Sequence, residues 1–426
     1  MIPIRPDFDI PLAGITKGLP IGEGSIAASA LGRLQLNILR QDVELPAVVL
    51  KISALEHNLR WMERFVAATG VAIAPHAKTT MSPQLIALQF AHGAWGISAA
   101  TSTHIHSYVA HGVRKILHAN QLVGKANIDG VLGLLARTPD LDFYTLVDSF
   151  SGLDLLRDGL QRMSIGRPLQ LLIELGAVSG RAGVREPADA LALARAIASD
   201  RLFTLSGVEC FEGIYSGRKA SDDIQAADFI RQLSELAISI EGEGLFGAET
   251  PIITAGGSAY FDIVASLAEA SAIAGFQIII RSGCYLTHDS VHYDLIHHRR
   301  HLDDFDPPGP GLRPALEVVG CVQSRPQNEL AIINMGKRDI SHDLDMPKLL
   351  WMSKGGVITR ISGSKAAVSS LNDQHMMLLL PKDNDLKVGD LVGFGVSHPC
   401  TTFDKWKFML LVDDDYNVVG ACQTLF

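Results

Sequence analysis

The sequence is short of the features that mark several large classes of protein. Its five cysteines, at positions 210, 284, 321, 400 and 422, include no Cys-x-x-Cys pair. That scatter excludes a disulfide framework and a zinc ribbon, and it suits the reducing cytoplasm. Positive charge is not in excess: 37 Lys and Arg face 46 Asp and Glu, a formal charge of -9, which argues against nucleic acid as the main partner. No apolar run approaches the roughly 18 residues of a membrane span. The stretch from Met1 to Asp7 carries no basic-then-apolar signal pattern. What remains is a chain of 426 residues, 47% hydrophobic and modestly charged. Such a chain can bury a large core in two or three domains.

Residues 1–45 look irregular, because Pro3, Pro6, Pro11 and Pro20 interrupt any regular element. A repeating beat follows. Apolar runs at 46–52, 70–74, 93–98, 115–119, 142–147, 169–175, 203–211, 251–255 and 276–281 read as strands. Helices are expected over 54–68, 83–91, 102–111, 124–137, 150–163, 187–199, 220–243 and 260–273. Strand–helix units of roughly 25 residues imply a parallel sheet. Their number fits an α/β fold of the (β/α)8 TIM-type barrel kind, with one strand too many. The first or the last strand therefore belongs to the neighbouring domain. After about residue 300 the beat stops, and His297-His-Arg-Arg-His301 and 303–311 read as turn and linker. Short apolar runs at 315–322, 329–334, 357–361, 376–380, 390–394, 408–412 and 417–419 then read as an all-β domain of about six to eight strands. The organisation expected is an N-terminal segment, 1–45, packing on the β domain; a barrel, 46–295; and a C-terminal β domain, 296–426.

Lys78 stands just past a strand, in Ala74-Pro-His-Ala-Lys-Thr-Thr80, ahead of a helix with Pro83 in its first turn. That is the carboxyl rim where parallel α/β folds place their chemistry. A lysine there can form a Schiff base or act as a base; the alternative is a solvated surface lysine. Other polar residues fall just after strands as well: His76, Thr101, His118, Asn120, Asp148, Arg181, Glu209 and Arg281. Any one of them could be a cap or a turn residue, and the recurrence across strands carries the weight. In Thr254-Ala-Gly-Gly-Ser258, two glycines let backbone N–H groups approach an anion at a helix start. The other reading of that pair is a tight turn. Arg181 near Gly183, and Arg281 near Gly283, add two cations to the rim. In Ser397-His398-Pro399-Cys400, i and i+2 of an extended segment point the same way, so His398 and Cys400 can share one metal ion of Zn2+-like softness. Two ligands suit an open catalytic site; the alternative is a buried cysteine beside a satisfied histidine.

These residues resemble a known family. Pro75-His76-x-Lys78-Thr79 is similar to the pyridoxal-phosphate lysine motif of fold-type III enzymes, in the D-serine dehydratase and D-threonine aldolase group of the alanine racemase-like superfamily. Glu174-Leu-Gly176 with Arg181-Ala-Gly183, Ala255-Gly-Gly-Ser258, Arg281-Ser-Gly283-Cys-Tyr285 with Asp289, and Ser397-His-Pro-Cys400 resemble that group's motifs, in order, over about residues 45–410. Three departures stand out: Thr80 where histidine is usual, Ser282 for proline, and a longer spacing from Gly176 to Arg181.

The resemblance implies pyridoxal 5'-phosphate held covalently on Lys78. It implies a phosphate held by Gly256, Gly257, Ser258 and Gly283, with Arg181 near the phenolic oxygen and Arg281 at the pyridine nitrogen. It implies a divalent metal, Zn2+, on His398 and Cys400, where an aldolase tends to carry aspartate, and a homodimer. The expected activity is deaminating dehydration of a β-hydroxy-D-amino acid such as D-serine to a 2-keto acid and ammonia, as a D-serine dehydratase does. The alternatives are a metal-dependent retro-aldol cleavage of the D-threonine type, an amino-acid racemase, and a pyridoxal-phosphate carrier protein.

Overall fold

Aliphatic and β-branched runs bounded by Gly, Pro and polar clusters form eight parallel strands. In the computed structural model, which describes residues 11–13, 16–20, 25–178, 180–304, 309–361 and 366–426, these runs fall where the beat predicts. The readings at Pro3 and Pro6, and the middle of the linker at 305–308, lie outside the described residues. Residues 63–78 and 89–283 form one compact unit. The other comprises the described residues of 1–62, 79–88 and 284–426.

The N-terminal strands are β1 (Pro11–Ala13), β2 (Ser25–Ala27) and β3 (Ala47–Lys51). The first unit contains β4 (Ala72–Ile73), β5 (Ile97–Ala99), β6 (Lys115–Gln121), β7 (Asp142–Val147), β8 (Leu169–Leu175), β9 (Phe203–Cys210), β10 (Ile252–Ala255) and β11 (Gln277–Ile280). Their order is β4-β11-β10-β9-β8-β7-β6-β5, and neighbours run parallel. A parallel bridge from His76 to Ser98 joins the two ends, supported by Ser98 N–H donating to Pro75 O at 2.9 Å. The sheet is thereby curled into a barrel. Ala74, Leu117, Leu146, Leu172, Ile252 and Ile279 form a buried cluster of this unit. The fold expected from the sequence, a (β/α)8-type barrel with an all-β domain, is the fold observed.

The surplus strand is β3. It pairs antiparallel with β12 (Leu316–Gln327) and parallel with β19 (Phe408–Val412) in the second unit. All five of its residues are buried, so its apolar run looks the same as that of a barrel strand. Lys51 at its end meets buried Glu317 at 3.0 Å, and Glu317 also accepts from Trp351 and Tyr416. The remaining strands are β13 (Leu330–Ile333), β14 (Lys348–Lys354), β15 (Val357–Arg360), β16 (Ala367–Leu371), β17 (Met376–Leu379), β18 (Leu391–Gly395) and β20 (Val418–Gln423). Leu19, Leu31 and Ile38 pack into the same core cluster as Val319, Trp351, Phe408 and Tyr416.

Three local readings differ. The irregular N-terminal stretch contains the β1–β2 pair and two 3-10 segments, Ala28–Leu34 and Ile38–Arg40, the second capped by the Asn37 side chain. The helix expected over 260–273 stops after Phe261–Ala265 and continues as 3-10 turns, where Ser266 Oγ donates back to Ile263 O at 2.8 Å. The His-Arg run begins in the last turn of a helix, His292–Arg299, and only Arg300 and His301 lie beyond it. That helix is started by the buried Asp289 carboxylate, which accepts from the N–H groups of Val291 and Tyr293. Among the described residues no helix is long and apolar enough to cross a membrane.

Candidate active site

Barrel register gathers the polar residues of the first unit at the strands' carboxyl ends. Glu174 on β8 is paired in register with Glu209 on β9, and Glu209 with Thr254 on β10. Arg281 follows β11 directly, and its guanidinium closes the group. It donates to Glu209 Oε2 at 2.7 Å, Thr254 Oγ1 at 3.0 Å and Cys210 O at 3.2 Å. Both members of the Arg281–Glu209 pair are buried, at 3% and 2% side-chain exposure, so this ion pair is not a screened surface contact.

A cavity of about 270 Å3 opens above these residues, lined by His76, Lys78, Glu174, Arg181, Gly256 and Arg281 among others. Lys78 sits in a single 3-10 turn, Ala77–Thr79, and its side chain is exposed to this cavity. Arg181 lies over the Phe211 ring at 4.0 Å. Two buried nitrogens, His76 Nδ1 and Arg281 Nε, have no partner in the protein. Burial first, then the charges of Lys78 and Arg281, hold His76 well below the usual imidazole range, so it is neutral. Such unpaired buried donors and acceptors are costly unless a ligand satisfies them.

Glu174 carries the site's clearest titration. Burial, then the neighbouring Glu209, push it up from 4.5 to about 7, against a hydrogen bond from Gln121. The folded protein therefore holds this proton at pH values where the unfolded chain has released it. Stability is full below the unfolded value and falls as pH rises from 4.5 to about 7, by about 3 kcal/mol. Glu174→Gln should flatten that dependence, as read by urea midpoints across this range. An unchanged slope would mean that Glu174 is ionised throughout.

The glycine pair has an occupant. Gly256 N–H donates to Glu212 Oε2 at 2.9 Å and Gly257 N–H to Glu212 Oε1 at 2.6 Å. Glu212 is fully buried, and burial raises its pKa. A Cβ on Gly257 would stand 2.5 Å from that carboxylate, and one on Gly256 2.5 Å from Arg281. Glycine is therefore needed here for close approach. Ser282, where proline is usual in the group, donates to Gly257 O at 3.0 Å and braces the loop. Of the cofactor-binding residues that the resemblance implies, Lys78, Arg181, Gly256 and Arg281 line the cavity, as do the rim residues His76, Asn120 and Glu209; Gly257, Ser258 and Gly283 are not among the lining residues.

The second unit holds the His-x-Cys pair. Pro399 is helical, with φ -56° and ψ -46°, and Cys400 begins a short helix to Phe403. The segment is not extended, so side-chain alternation does not bring the pair together; the turn at Pro399 does. Asp343 accepts from Thr401 Oγ1 at 2.7 Å and stands 2.6 Å from His398 Nδ1. Burial opposes the imidazolium, but hydrogen bonds with Cys400 and Asp343 lift His398 to about 9. With Nδ1 held by a carboxylate, Nε2 is the nitrogen left for a cation, the usual arrangement of a metal-bound histidine. Cys400 Sγ lies 3.4 Å from Thr79 Oγ1 and 3.9 Å from Cys284 Sγ. Hydrogen bonding from Cys284, together with His398, holds Cys400 well below the ordinary thiol range. The residue types and the oriented imidazole fit a soft divalent cation. Arg325 donates to the backbone carbonyls of Leu330, Leu386 and Asn328. Asp343, Cys284 and Glu212 were not expected at either site. They arrive through tertiary contacts, and only Glu212, an acid two residues past a barrel strand, had a positional signal.

Comparison with known proteins follows the same lines. Residues 315–412 match the family model described as "Putative serine dehydratase domain". The chain is similar, over most of its length, to D-threonine aldolase and, over shorter stretches, to 3-hydroxy-D-aspartate aldolase and D-threo-3-hydroxyaspartate dehydratase. The D-threonine aldolase of Arthrobacter sp is 24% identical over 376 residues, 87% of this chain and 90% of the relative. In fold, the chain is similar to the D-threonine aldolase of Filomicrobium marinum, with TM-score 0.74 at 20% identity over 91% of this chain and 96% of that one. It is also similar in fold to the D-threo-3-hydroxyaspartate dehydratase of Delftia sp. HT23, with TM-score 0.71 at 21% identity over 92% of this chain and 99% of that one.

Proposed function

We propose that this chain is a pyridoxal-phosphate- and metal-dependent lyase that deaminates β-hydroxy-D-amino acids, such as D-serine, to a 2-keto acid and ammonia. One observation carries the reading: Lys78 opens on a cavity whose buried His76 Nδ1 and Arg281 Nε lack partners. A lysine amine takes an aldehyde covalently, and the unpaired nitrogens are what a polar, planar cofactor would satisfy. Lys78 would hold the cofactor, with Arg181 and Arg281 as its fixed cations and Ser258 and Gly283 at its phosphate. Gly256 and Gly257 would offer their N–H groups only where Glu212 gives way. His398 and Cys400 would hold the cation, with Asp343 fixing the imidazole.

Bound pyridoxal phosphate supplies an electron sink at the substrate α-carbon, and a Zn2+ ion supplies a Lewis acid for the departing hydroxyl. The protein's own share is proton handling and placement. The Lys78 amine, once neutral and free, is the base for the α-proton. Arg281, locked by Glu209 and Thr254, keeps its position without reorganisation. The balance is loss of one water across Cα–Cβ and hydrolysis of the product to keto acid and ammonia. Dehydration is preferred to retro-aldol cleavage because a thiolate stands at position 400, where an aldolase of this group tends to carry aspartate.

Product analysis on D-serine, D-threonine and 3-hydroxy-D-aspartate tests the reading. Ammonia with a keto acid supports it; glycine with an aldehyde overturns it in favour of the aldolase. The relatives' names, D-threonine aldolase and D-threo-3-hydroxyaspartate dehydratase, set both outcomes in view. A homodimer is part of the proposal, read by light scattering of the loaded protein. Glu212→Ala should raise affinity for pyridoxal phosphate relative to pyridoxal, because it removes a buried carboxylate and frees two N–H donors. An unchanged ratio in spectral titration would mean that the phosphate never approaches this loop.

A further inference from the structure

The pair His398 and Cys400 leaves a cation short of protein ligands, since catalytic zinc sites usually have three and keep one position open. The second unit offers a candidate in the sulfur of Cys284, one residue past Gly283. Two thiolates bound to one tetrahedral Zn2+, each at about 2.3 Å, stand about 3.8 Å apart. Cys284 Sγ and Cys400 Sγ are 3.9 Å apart. The same pair is nearly twice as far apart as the roughly 2.05 Å of a disulfide, and both are free cysteines. The span is also braced by a hydroxyl. Thr79 Oγ1 lies 3.9 Å from Cys284 Sγ and 3.4 Å from Cys400 Sγ. Cys284 itself is 5% exposed, and so is shielded from competing reactions with solutes. Among the described residues no closed set of three or more metal-binding side chains is assembled; the sulfur-to-sulfur span is the part that is already set.

We propose that Cys284 is a third protein ligand of the cation held by His398 and Cys400, making a Cys2His site with one position open to the substrate hydroxyl. The proposal rests on the metal reading above and extends it. Two consequences follow from ligand chemistry. Two thiolates select Zn2+ over Mn2+ and Mg2+ more strongly than one. The two thiolates also neutralise the ion's charge, so the open position accepts a neutral hydroxyl without adding a net negative charge to a buried site.

The test uses the full-length protein loaded with zinc. X-ray absorption at the zinc edge should show two sulfur neighbours at about 2.3 Å in the wild type, a measurement that needs no variant. Cys284→Ser should leave one, and should weaken zinc in competition with a chelating dye by at least about tenfold. Cobalt substitution gives a second readout: the thiolate charge-transfer band, per bound cobalt, should fall by about half in Cys284→Ser, if each thiolate contributes equally. One sulfur in the wild type, or a band that Cys284→Ser leaves unchanged, overturns the role of Cys284 while leaving His398 and Cys400 in place. No sulfur at all on the bound metal overturns the parent reading and this one together.

Discussion

Removing the divalent cation with a chelator, or replacing His398 or Cys400 with alanine, is expected to lower keto-acid release by about a hundred-fold or more. Hydroxide is a poor leaving group at neutral pH, and a Lewis acid on the departing oxygen supplies several kcal/mol of stabilisation; about 2.7 kcal/mol corresponds to a hundred-fold. The local structure argues that the imidazole is aimed for this work: Asp343 holds Nδ1 at 2.6 Å, and Thr401 fixes Asp343 in turn. Zn2+ should restore the rate and Mg2+ should not, because a thiolate prefers the softer ion. The absorbance of cofactor bound through Lys78 should be unaffected by the same treatment. Full activity in metal-stripped protein would remove His398 and Cys400 from the mechanism.

Arg281→Ala is expected to cost about 3–5 kcal/mol of stability, the usual penalty for stranding one member of a buried ion pair. Glu209 would be left 2% exposed with its cation gone. Its neighbour in register, Glu174, would add like-charge repulsion wherever it is ionised. The loss should therefore grow as pH rises through about 7, the value at which Glu174 gives up its proton. A double variant, Arg281→Met with Glu209→Gln, should recover most of the loss, since an apolar or neutral pair avoids the desolvation cost that the charges carry. Urea midpoints read both effects. A loss below about 1 kcal/mol for the single variant, typical of exposed pairs, would mean that water reaches the pair.

The barrel was legible because its strands are apolar on both faces and short, so period and length alone separate them from helices. Asp142–Val147, Leu169–Leu175 and Phe408–Val412 fall on the residues expected. The surplus strand showed where this reasoning stops: Ala47–Lys51 is as buried as any barrel strand, and only its pairing partners reveal the sheet it joins. Two β-domain strands were missed for different reasons. Ala367–Leu371 is interrupted by the adjacent Ser369 and Ser370, whereas Lys348–Lys354 alternates buried and half-buried positions that its charged ends obscure. At the candidate site, motif residues near Lys78 and at His398-x-Cys400 could be found because each lies in a short stretch. Asp343 is 55 residues from His398, and Cys284 116 from Cys400, and no spacing rule links such distances. Glu212 defeated a reasonable inference of another kind. A glycine pair at a helix start does gather an anion, and here the anion is the chain's own carboxylate.

The central claim is that the Lys78 amine carries a pyridoxal aldehyde. Borohydride reduction of the pyridoxal-phosphate-loaded protein, followed by peptide mass mapping, tests it in one step. The account predicts a single phosphopyridoxyl adduct on the peptide containing Lys78, with loss of the bound-cofactor absorbance. An adduct spread over surface lysines, or an unmodified Lys78 beside a modified one elsewhere, would contradict it.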